Sequence, residues 1–296
     1  MSSLFFTLFR HMLRSLLRLR VLYLKILRRG PHGEPARHLS HAELDTIKAG
    51  DPRFKRLVEN RASQETESSC SAASVACVIN AMGKNEKPRV NNQMDLLETI
   101  RAGRWKERLS PEGWQGRRGL PLDVLGDVVP AALRYHEIEA EVEVHPFYPK
   151  EEEADRIQRA REILDRFASE PDTSLIAHFD QGSFLPVLTI PHISPVGRWN
   201  PETETVIMLD VDPDQPIPYE ISLSRFADGI ASDYGGLLRP YGYSHGGLVV
   251  IKAASGGEVS HLESWFANAP APRSSGRSHS LTGCARGGSN VNFLSG

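Results

Sequence analysis

Cys70 is the residue of this chain whose type and position best suit covalent chemistry. It stands between a polar loop, residues 61–69, and a run of small residues, 71–82, which predicts a buried helix that ends at Gly83. The unpaired N–H groups of the first helical turn would face the sulfur and favour the nucleophilic thiolate. Cys70 could instead be a small buried apolar side chain, and that interpretation is the better one for Cys77, inside the predicted helix.

A nucleophilic thiol needs a base, and the base needs an acid that orients it. His192 follows the apolar run 187–190, and Asp210 closes the apolar run 206–209. If these runs are the strands of a hairpin that turns at residues 199–201, the two side chains meet across the sheet. A cysteine at a helix N-terminus that faces a histidine and an acid on a sheet is the arrangement of papain-like enzymes. A structural histidine is the competing interpretation of His192.

Gln64 lies six residues before Cys70, in the polar loop. In a papain-like architecture, an amide side chain just upstream of the nucleophile joins the backbone N–H of the nucleophile as a donor to the oxyanion. A loop glutamine by itself carries little information, so this role depends on the other three residues.

The elements that must position these residues fall into two halves. The first half predicts helices and the second half, after Pro171, predicts strands. Helices that precede an antiparallel sheet indicate an α+β fold, with the nucleophile helix packed on the sheet. We expect helices at residues 38–60, 70–82, 91–101, 120–135 and 151–170, and strands at residues 174–179, 187–190, 206–209 and 248–251. We divide the chain into a basic apolar segment (1–30), a catalytic domain (38–252) and a flexible Ser/Gly-rich tail (253–296).

Composition and charge exclude several classes of protein. Residues 31–296 carry 28 basic and 37 acidic side chains, and so acidic a body is a poor partner for nucleic acid. Three scattered cysteines provide no disulfide framework, and no Cys/His spacing indicates zinc. We therefore expect a reducing compartment, the cytoplasm, where a free thiol survives. Oligomeric state is left open.

The N-terminal segment, residues 1–30, is rich in leucine and carries seven basic residues and no acid. Its charges recur too often for a membrane-spanning helix or a cleavable signal peptide. Three interpretations remain: an interfacial helix on an anionic membrane, a targeting segment, or a helix that covers apolar surface of the protein itself. The first places the protein at the inner face of a membrane.

The motifs around the four site residues resemble those of the phytochelatin synthase family. In that family a Phe and an apolar helix precede a Gln, five further residues and the nucleophilic Cys, as Phe54, Gln64 and Cys70 do here. The small-residue helix then ends in an Asn-Ala pair, here residues 80–81. The second half shows a His-x-Ser-Pro-x-Gly motif (192–197) and a Leu-Asp-Val motif (209–211), with the family's separation of 18 residues between His and Asp.

The resemblance, which spans roughly residues 40–252, implies a papain-like fold and a cysteine transferase or hydrolase that acts on glutathione. In this family the cysteine forms a thioester with the γ-glutamylcysteine part of glutathione and releases glycine. Cys70 would be the nucleophile, His192 the base, Asp210 the orienting acid and Gln64 an oxyanion donor. Acylation would need no cofactor, whereas a divalent heavy-metal ion (Cd²⁺ or Zn²⁺) is expected as an activator or as the thiolate complex of the substrate.

Two departures from the family pattern bear on the substrate. Ser71 stands where the family usually has Gly, and residues 212–215 replace an Ala-Arg and aromatic sequence, so the cation that could recognise substrate carboxylates there is missing. The Cys-rich C-terminal domain of plant members is also absent. Two alternatives therefore stay open: a papain-like peptidase or amidase that acts on another peptide or conjugate, and a membrane-tethered relative without activity.

Overall fold

The structure, a computed structural model, describes residues 36–83, 89–187, 189–233 and 243–254. Near the N-terminus it also describes seven helical residues, 16, 19, 20, 22, 23, 26 and 27. The predicted tail, after Ala254, and most of the predicted N-terminal segment lie outside the described residues. The three-part division of the chain therefore stays a prediction.

The first half of the described chain is mainly helical, as predicted. Ser40 and Glu43 form a capping box at the start of the first helix. Eight α-helices lie in the four main ranges: α1 His41–Gly50, α2 Pro52–Glu59, α3 Cys70–Met82, α4 Asp95–Thr99, α5 Trp105–Leu109, α6 Leu122–Tyr135, α7 Glu153–Ser169 and α8 Leu223–Ile230.

One sheet of seven strands runs through the described chain, and each pair of neighbouring strands is antiparallel. Its spatial order is β1-β6-β5-β4-β3-β7-β2. The strands are β1 Arg37–His38, β2 Ala140–Phe147, β3 Thr173–Asp180, β4 Pro191–Asn200, β5 Thr205–Met208, β6 Tyr219–Ser222 and β7 Gly246–Ala253.

Both faces of the sheet are covered, because each face contributes to a separate apolar core. Ile176 and Ile193 pack with the buried residues of α2, α3 and α6. Leu175 and Val196 pack with the buried residues of α7 and α8 on the other face. Strand β3, an interior strand of the sheet, is buried along its whole length, which fits a strand between two helical layers. The predicted α+β class is confirmed, with α3 packed on the sheet.

A hairpin forms from β4 and β5, with residues 191–200 as its first strand in place of the predicted 187–190, and Gly197 shapes it. The register of the two strands shifts between Val196 and Arg198, so Gly197 lies at a bulge. A Cβ atom at Gly197 would lie 2.9 Å from a Phe54 ring carbon and 2.9 Å from Cγ of Leu209. The glycine of the His-x-Ser-Pro-x-Gly motif is thus required for the close approach of α2 to this hairpin.

Two of the predicted elements are wrong in detail. The predicted helix 38–60 is divided at Asp51, whose side chain caps α2 through the N–H of Phe54 at 2.9 Å. The predicted strand at 187–190 is absent from the part of it that the structure describes. There Asp180 accepts N–H bonds from Gly182 and Ile190, both at 3.0 Å, and the described residues between them form a short 3-10 helix, 181–183, and turns. The apolar run therefore precedes β4, and His192 lies inside β4 rather than after a strand.

The described helical residues near the N-terminus are mostly apolar and exposed. They are Leu16, Leu19, Leu22, Tyr23, Ile26 and Leu27, with Arg20 among them. Among the residues that the structure describes, no helix has the length and hydropathy needed to cross a bilayer.

Candidate active site

Cys70 is the first residue of α3 and is partly exposed. The hydroxyl of Ser69, the residue before it, bonds to the backbone of Thr66 instead of capping the helix. The first N–H groups of α3 therefore have no side-chain cap. Free N–H groups at a helix N-terminus stabilise a thiolate and can donate to an oxyanion that forms beside it.

His192 and Asp210 meet across the β4–β5 hairpin. Nε2 of His192 lies 2.7 Å from Oδ1 of Asp210, and both side chains are buried. The other ring nitrogen, Nδ1, is then free to serve Cys70, whose thiol hydrogen-bonds to the imidazole. The edge of the Phe179 ring packs against the imidazole, with 5.5 Å between ring centroids. The structure thus brings together the predicted nucleophile, base and acid.

The charges of these three groups support one another. Burial acts against the imidazolium, but the charge and hydrogen bond of Asp210, together with those of Cys70, raise the pKa of His192 well above its usual value. Burial also acts to raise the pKa of Asp210, whereas the His192 charge and the hydrogen bonds that the carboxylate accepts lower it overall. The geometry therefore favours transfer of the thiol proton to the imidazole, whose positive charge the Asp210 carboxylate stabilises.

Three further side chains bind the Asp210 carboxylate, and none of them was identified from the sequence. Tyr219 donates its hydroxyl to Oδ2 at 2.8 Å, and the buried amide of Gln181 lies 3.4 Å from the same oxygen. Ser194 approaches Oδ1 at 3.4 Å. Ser194, two positions after His192 on the same strand, is the one that the motif could have indicated. Tyr219 and Gln181 come from distant parts of the chain and carry no local signal.

Two serines of α3 fix the nucleophile helix. The Ser74 hydroxyl lies 2.8 Å from the Cys70 carbonyl oxygen and 2.9 Å from that of Ile193, next to His192. Ser71, the departure from the family glycine, is fully buried and accepts a 2.9 Å hydrogen bond from Nε1 of Trp105. The serine at this position thus has a specific partner in α5.

The Gln64 loop is held beside the strand that leads to Asp210. The backbone N–H of Gln64 donates to the Val211 carbonyl at 2.8 Å, and Gln93 donates to the Ser63 carbonyl at 2.8 Å. The Gln64 side-chain oxygen is buried and has no partner among the described residues. The Gln64 backbone therefore lies beside the segment that follows Asp210, and the role of its side chain as an oxyanion donor stays a prediction.

The segment after Asp210 supports the carboxylate rather than offering a cation. The N–H of Asp212 donates to Oδ1 of Asp210 at 2.9 Å, and the Asp212 side chain accepts from Gln181 at 2.8 Å. Arg61 donates to the backbone carbonyls of Asp210 and Pro216. This segment is built to hold the acid in place.

Cys77 is structural, as expected. It is fully buried in α3 and donates to the Leu57 carbonyl at 3.3 Å. Burial raises the pKa of this thiol to about 12, so it stays protonated at neutral pH. Within the described ranges, no cluster of three His, Cys, Asp or Glu side chains could hold a metal ion.

The fold and the site together define a papain-like cysteine transferase or peptidase. A phytochelatin synthase profile matches residues 45–224, more than half of the chain, and the chain therefore belongs to the phytochelatin synthase family. The resemblance drawn from the motifs is thereby confirmed. No curated protein matches the chain significantly.

Among solved structures, the chain is similar to the crystal structure of the Pseudomonas avirulence protein AvrPphB. The two share 10% sequence identity, with a TM-score of 0.32, over 67% of this chain and the whole of the other. The fold assignment rests on the topology described above and on family membership, because a likeness this weak adds nothing to them.

Proposed function

We propose that this protein cleaves glutathione, or a closely related γ-glutamyl thiol peptide, at its glycine bond through a Cys70 thioester. One observation carries the proposal: Cys70 opens an uncapped helix beside a buried His192–Asp210 pair, in a chain of the phytochelatin synthase family. Every group that the chemistry requires comes from the described part of the chain.

Acylation begins when His192 takes the thiol proton of Cys70. The thiolate then attacks the carbonyl carbon of the cysteinyl–glycine bond. The resulting oxyanion accepts hydrogen bonds from the Cys70 N–H and the Gln64 amide. The intermediate collapses as His192 returns the proton to the departing amine, so glycine leaves and γ-glutamylcysteine stays on the sulfur as a thioester. Asp210 holds the imidazole in the required tautomer and stabilises its positive charge.

Deacylation repeats the same steps with water in place of Cys70. His192 takes a proton from water, the hydroxide attacks the thioester carbonyl, and γ-glutamylcysteine is released as the thiol is restored. We favour hydrolysis over transfer to a second glutathione, because nothing in the described residues marks a second substrate site. The mechanism uses protein groups for each step, so we propose that acylation requires no metal.

Glycine release from glutathione tests the proposal. Wild-type protein should release glycine and γ-glutamylcysteine in equal amounts, and Cys70→Ala should release neither. Cys77→Ala is the matched control, because Cys77 is buried away from the chemistry and its variant should keep the activity if it folds. No release from the wild type, or equal release from Cys70→Ala, would overturn the proposal.

Two further assays with the wild-type protein distinguish the proposed function from its two alternatives, a peptidase or amidase with another substrate and a relative without activity. A panel of γ-glutamyl and α-linked peptides distinguishes the proposed activity from a peptidase or amidase with another substrate. Alkylation by iodoacetamide distinguishes an active site from one that has lost its activity. Cys70 of an active protein should react near neutral pH much faster than a free thiol, since its thiolate is stabilised by His192 and by the helix N-terminus.

We also propose that the N-terminal segment binds an anionic membrane surface from the cytoplasmic side. Six exposed apolar side chains between residues 16 and 27, in a segment with seven basic residues and no acid, fit a helix at a lipid interface. In a flotation assay the protein should float with vesicles that contain phosphatidylserine. With vesicles of pure phosphatidylcholine it should remain unbound at the bottom of the gradient. Deletion of residues 1–30 should abolish flotation; flotation that survives the deletion would exclude this segment as the anchor.

A further inference from the structure

A cluster of arginines lies in the segment between α4 and α6, in an otherwise acidic body. Residues 101–118 contain six basic and two acidic side chains. Three of the basic residues, Arg104, Arg108 and Arg118, lie around the hairpin that carries Trp114, and we call them the arginine cluster. The guanidinium carbons of Arg104 and Arg108 lie 5.3 Å and 5.1 Å from the centre of the Trp114 ring.

Two separate contacts connect the arginine cluster to the nucleophile. The first is the hydrogen bond from Trp105 to Ser71, which holds α5 against the residue that follows Cys70. The second runs through Tyr243, whose hydroxyl donates to the Arg118 carbonyl at 2.8 Å. Burial and then the charge of Cys70 raise the pKa of Tyr243, while the charge of Arg108 acts to lower it, so Tyr243 is near both the sulfur and the cluster.

The backbone around the cluster is rigid. Residues 114 and 117 form paired backbone hydrogen bonds across a tight turn, with positive φ angles of 53° at Gln115 and 73° at Gly116. Arg104 itself has a φ of 53° and a left-handed conformation at the start of α5. Such a conformation costs free energy in a residue that is not glycine, which fits a side chain held for a purpose.

The guanidinium groups of the arginine cluster are available to bind an anionic ligand. In the described part of the chain, none of Arg104, Arg108 and Arg118 forms an ion pair. Arg108 is 9% exposed and uses only Nε, which donates to the Gly103 carbonyl at 2.9 Å. Nε of Arg118 is buried without a partner. Burial of Arg108 and of Nε of Arg118 without an anion is unfavourable, so an anionic ligand would stabilise these two groups, whereas Arg104 is exposed.

We propose that the arginine cluster is the carboxylate-binding subsite for the acyl part of the substrate, the part that stays on Cys70. Through Trp105 and Ser71, the segment that carries the cluster packs against the α3 side of Cys70, whereas the leaving amine takes its proton from His192 on the sheet. A γ-glutamyl group carries an α-carboxylate that a pair of guanidinium groups can bind. The cluster supplies the cation that the segment after Asp210 lacks.

Two alkylating reagents of similar size test the subsite without reference to any substrate. Iodoacetate is an anion and iodoacetamide is neutral, so the ratio of their rates at Cys70 reports the local positive potential. Arg104→Gln and Arg118→Gln should each lower this ratio about 3- to 10-fold while leaving the iodoacetamide rate nearly unchanged. Arg108→Gln is a third variant, but because Arg108 is buried this substitution is more destabilising.

Arg198→Gln is the matched control for the alkylation experiment. It removes the same charge from the far end of β4, six residues or roughly 20 Å from His192, and should leave the ratio unchanged. If the ratios of Arg104→Gln and Arg118→Gln equal that of Arg198→Gln, the cluster does not act at Cys70 and the proposal is wrong.

Turnover then tests the substrate assignment, which rests on the proposed function. The cluster variants should raise KM for glutathione about tenfold, with a much smaller change in kcat. Glutathione with its γ-glutamyl α-carboxylate converted to an amide should be a poor substrate for the wild type and should lose little more in the variants. Equal losses for both substrates would contradict the assignment. Absence of any glutathione turnover would overturn the proposed function while the alkylation ratios still decide the subsite.

Discussion

The Tyr219 hydroxyl donates a 2.8 Å hydrogen bond to Oδ2 of Asp210, on the opposite side of the carboxylate from His192. Tyr219 and Asp210 are fully buried. The tyrosine therefore positions the acid that orients the catalytic base, although it does not touch the reacting atoms. Burial and the charge of Asp210 raise the pKa of Tyr219 well above its usual value, so it remains a donor over the whole working range of pH.

Tyr219→Phe should lower kcat/KM for glutathione about 10- to 150-fold, because a hydrogen bond to a buried carboxylate contributes about 1.5–3 kcal/mol and each 1.4 kcal/mol is about a factor of ten. The loss should be accompanied by a rise in the pKa of His192, since the carboxylate then shares its charge with fewer donors. The alkaline limb of the kcat/KM profile should move to higher pH. Tyr135→Phe, at an exposed position, is the control. An unchanged rate and profile in Tyr219→Phe would show that Tyr219 has no positioning role.

Asp210→Asn should move the same limb in the opposite direction. The charge of Asp210 raises the pKa of His192, so its removal lowers the pKa of the imidazole. The imidazolium is then lost at lower pH, and kcat/KM should fall by roughly 10²–10⁴ through loss of charge and of the correct tautomer. Asp45→Asn, in a surface pair with Lys48, should leave the profile unchanged. A normal alkaline limb in Asp210→Asn would contradict the proposed pairing.

Ser74→Ala should weaken the connection between the nucleophile helix and the strand of the base. The variant removes the hydroxyl that reaches the carbonyls of Cys70 and Ile193, at a cost of about 1 kcal/mol. Both the melting temperature and kcat/KM should fall. Ser169→Ala loses a hydrogen bond of similar kind at the exposed end of α7 and should change neither. Activity retained at the wild-type level would mean that α3 does not need this contact.

His178 should make the fold sensitive to acid. Burial lowers the pKa of this histidine to about 4, against an ordinary value of 6.5. Between these two values the histidine is protonated in the unfolded chain and neutral in the folded chain. As pH falls from 6.5 to 4, His178 should contribute a loss of about 3 kcal/mol in the free energy of unfolding. His178→Gln cannot titrate, so its urea-unfolding free energy should fall less over this range. The same pH dependence in both proteins would contradict the assignment.

The sequence predicted the parts of this protein that depend on local pattern. The small-residue helix after Cys70 and the strand that leads to Asp210 follow from runs of residues that are close along the chain. His192 meets Asp210 across a hairpin, as predicted, but the first strand of that hairpin is β4 and not the run 187–190. In the described part of that run, the N–H of Ile190 donates to the Asp180 side chain instead of to a neighbouring strand. Periodicity does not reveal a side chain that competes for backbone hydrogen bonds.

The residues that surround the site could not be predicted in the same way. Tyr219 reaches Asp210 because β6 lies beside β5, and Trp105 reaches Ser71 because α5 packs against α3. Strand β2 was missed, although Val142 and Val144 alternate with glutamates, because it is an edge strand with partly exposed side chains. Contacts of this kind arise from tertiary packing, and a single sequence contains no record of them.

Trapping of the acyl-enzyme tests the central claim most directly. Protein mixed briefly with glutathione and quenched in acid should gain the mass of one γ-glutamylcysteinyl group, and peptide mapping should place it on Cys70 as a hydroxylamine-sensitive thioester. Cys70→Ala, which keeps Cys77 and Cys284, should gain nothing. Turnover of glutathione without an adduct on Cys70 under any quench time, or an adduct on another residue, would contradict the mechanism.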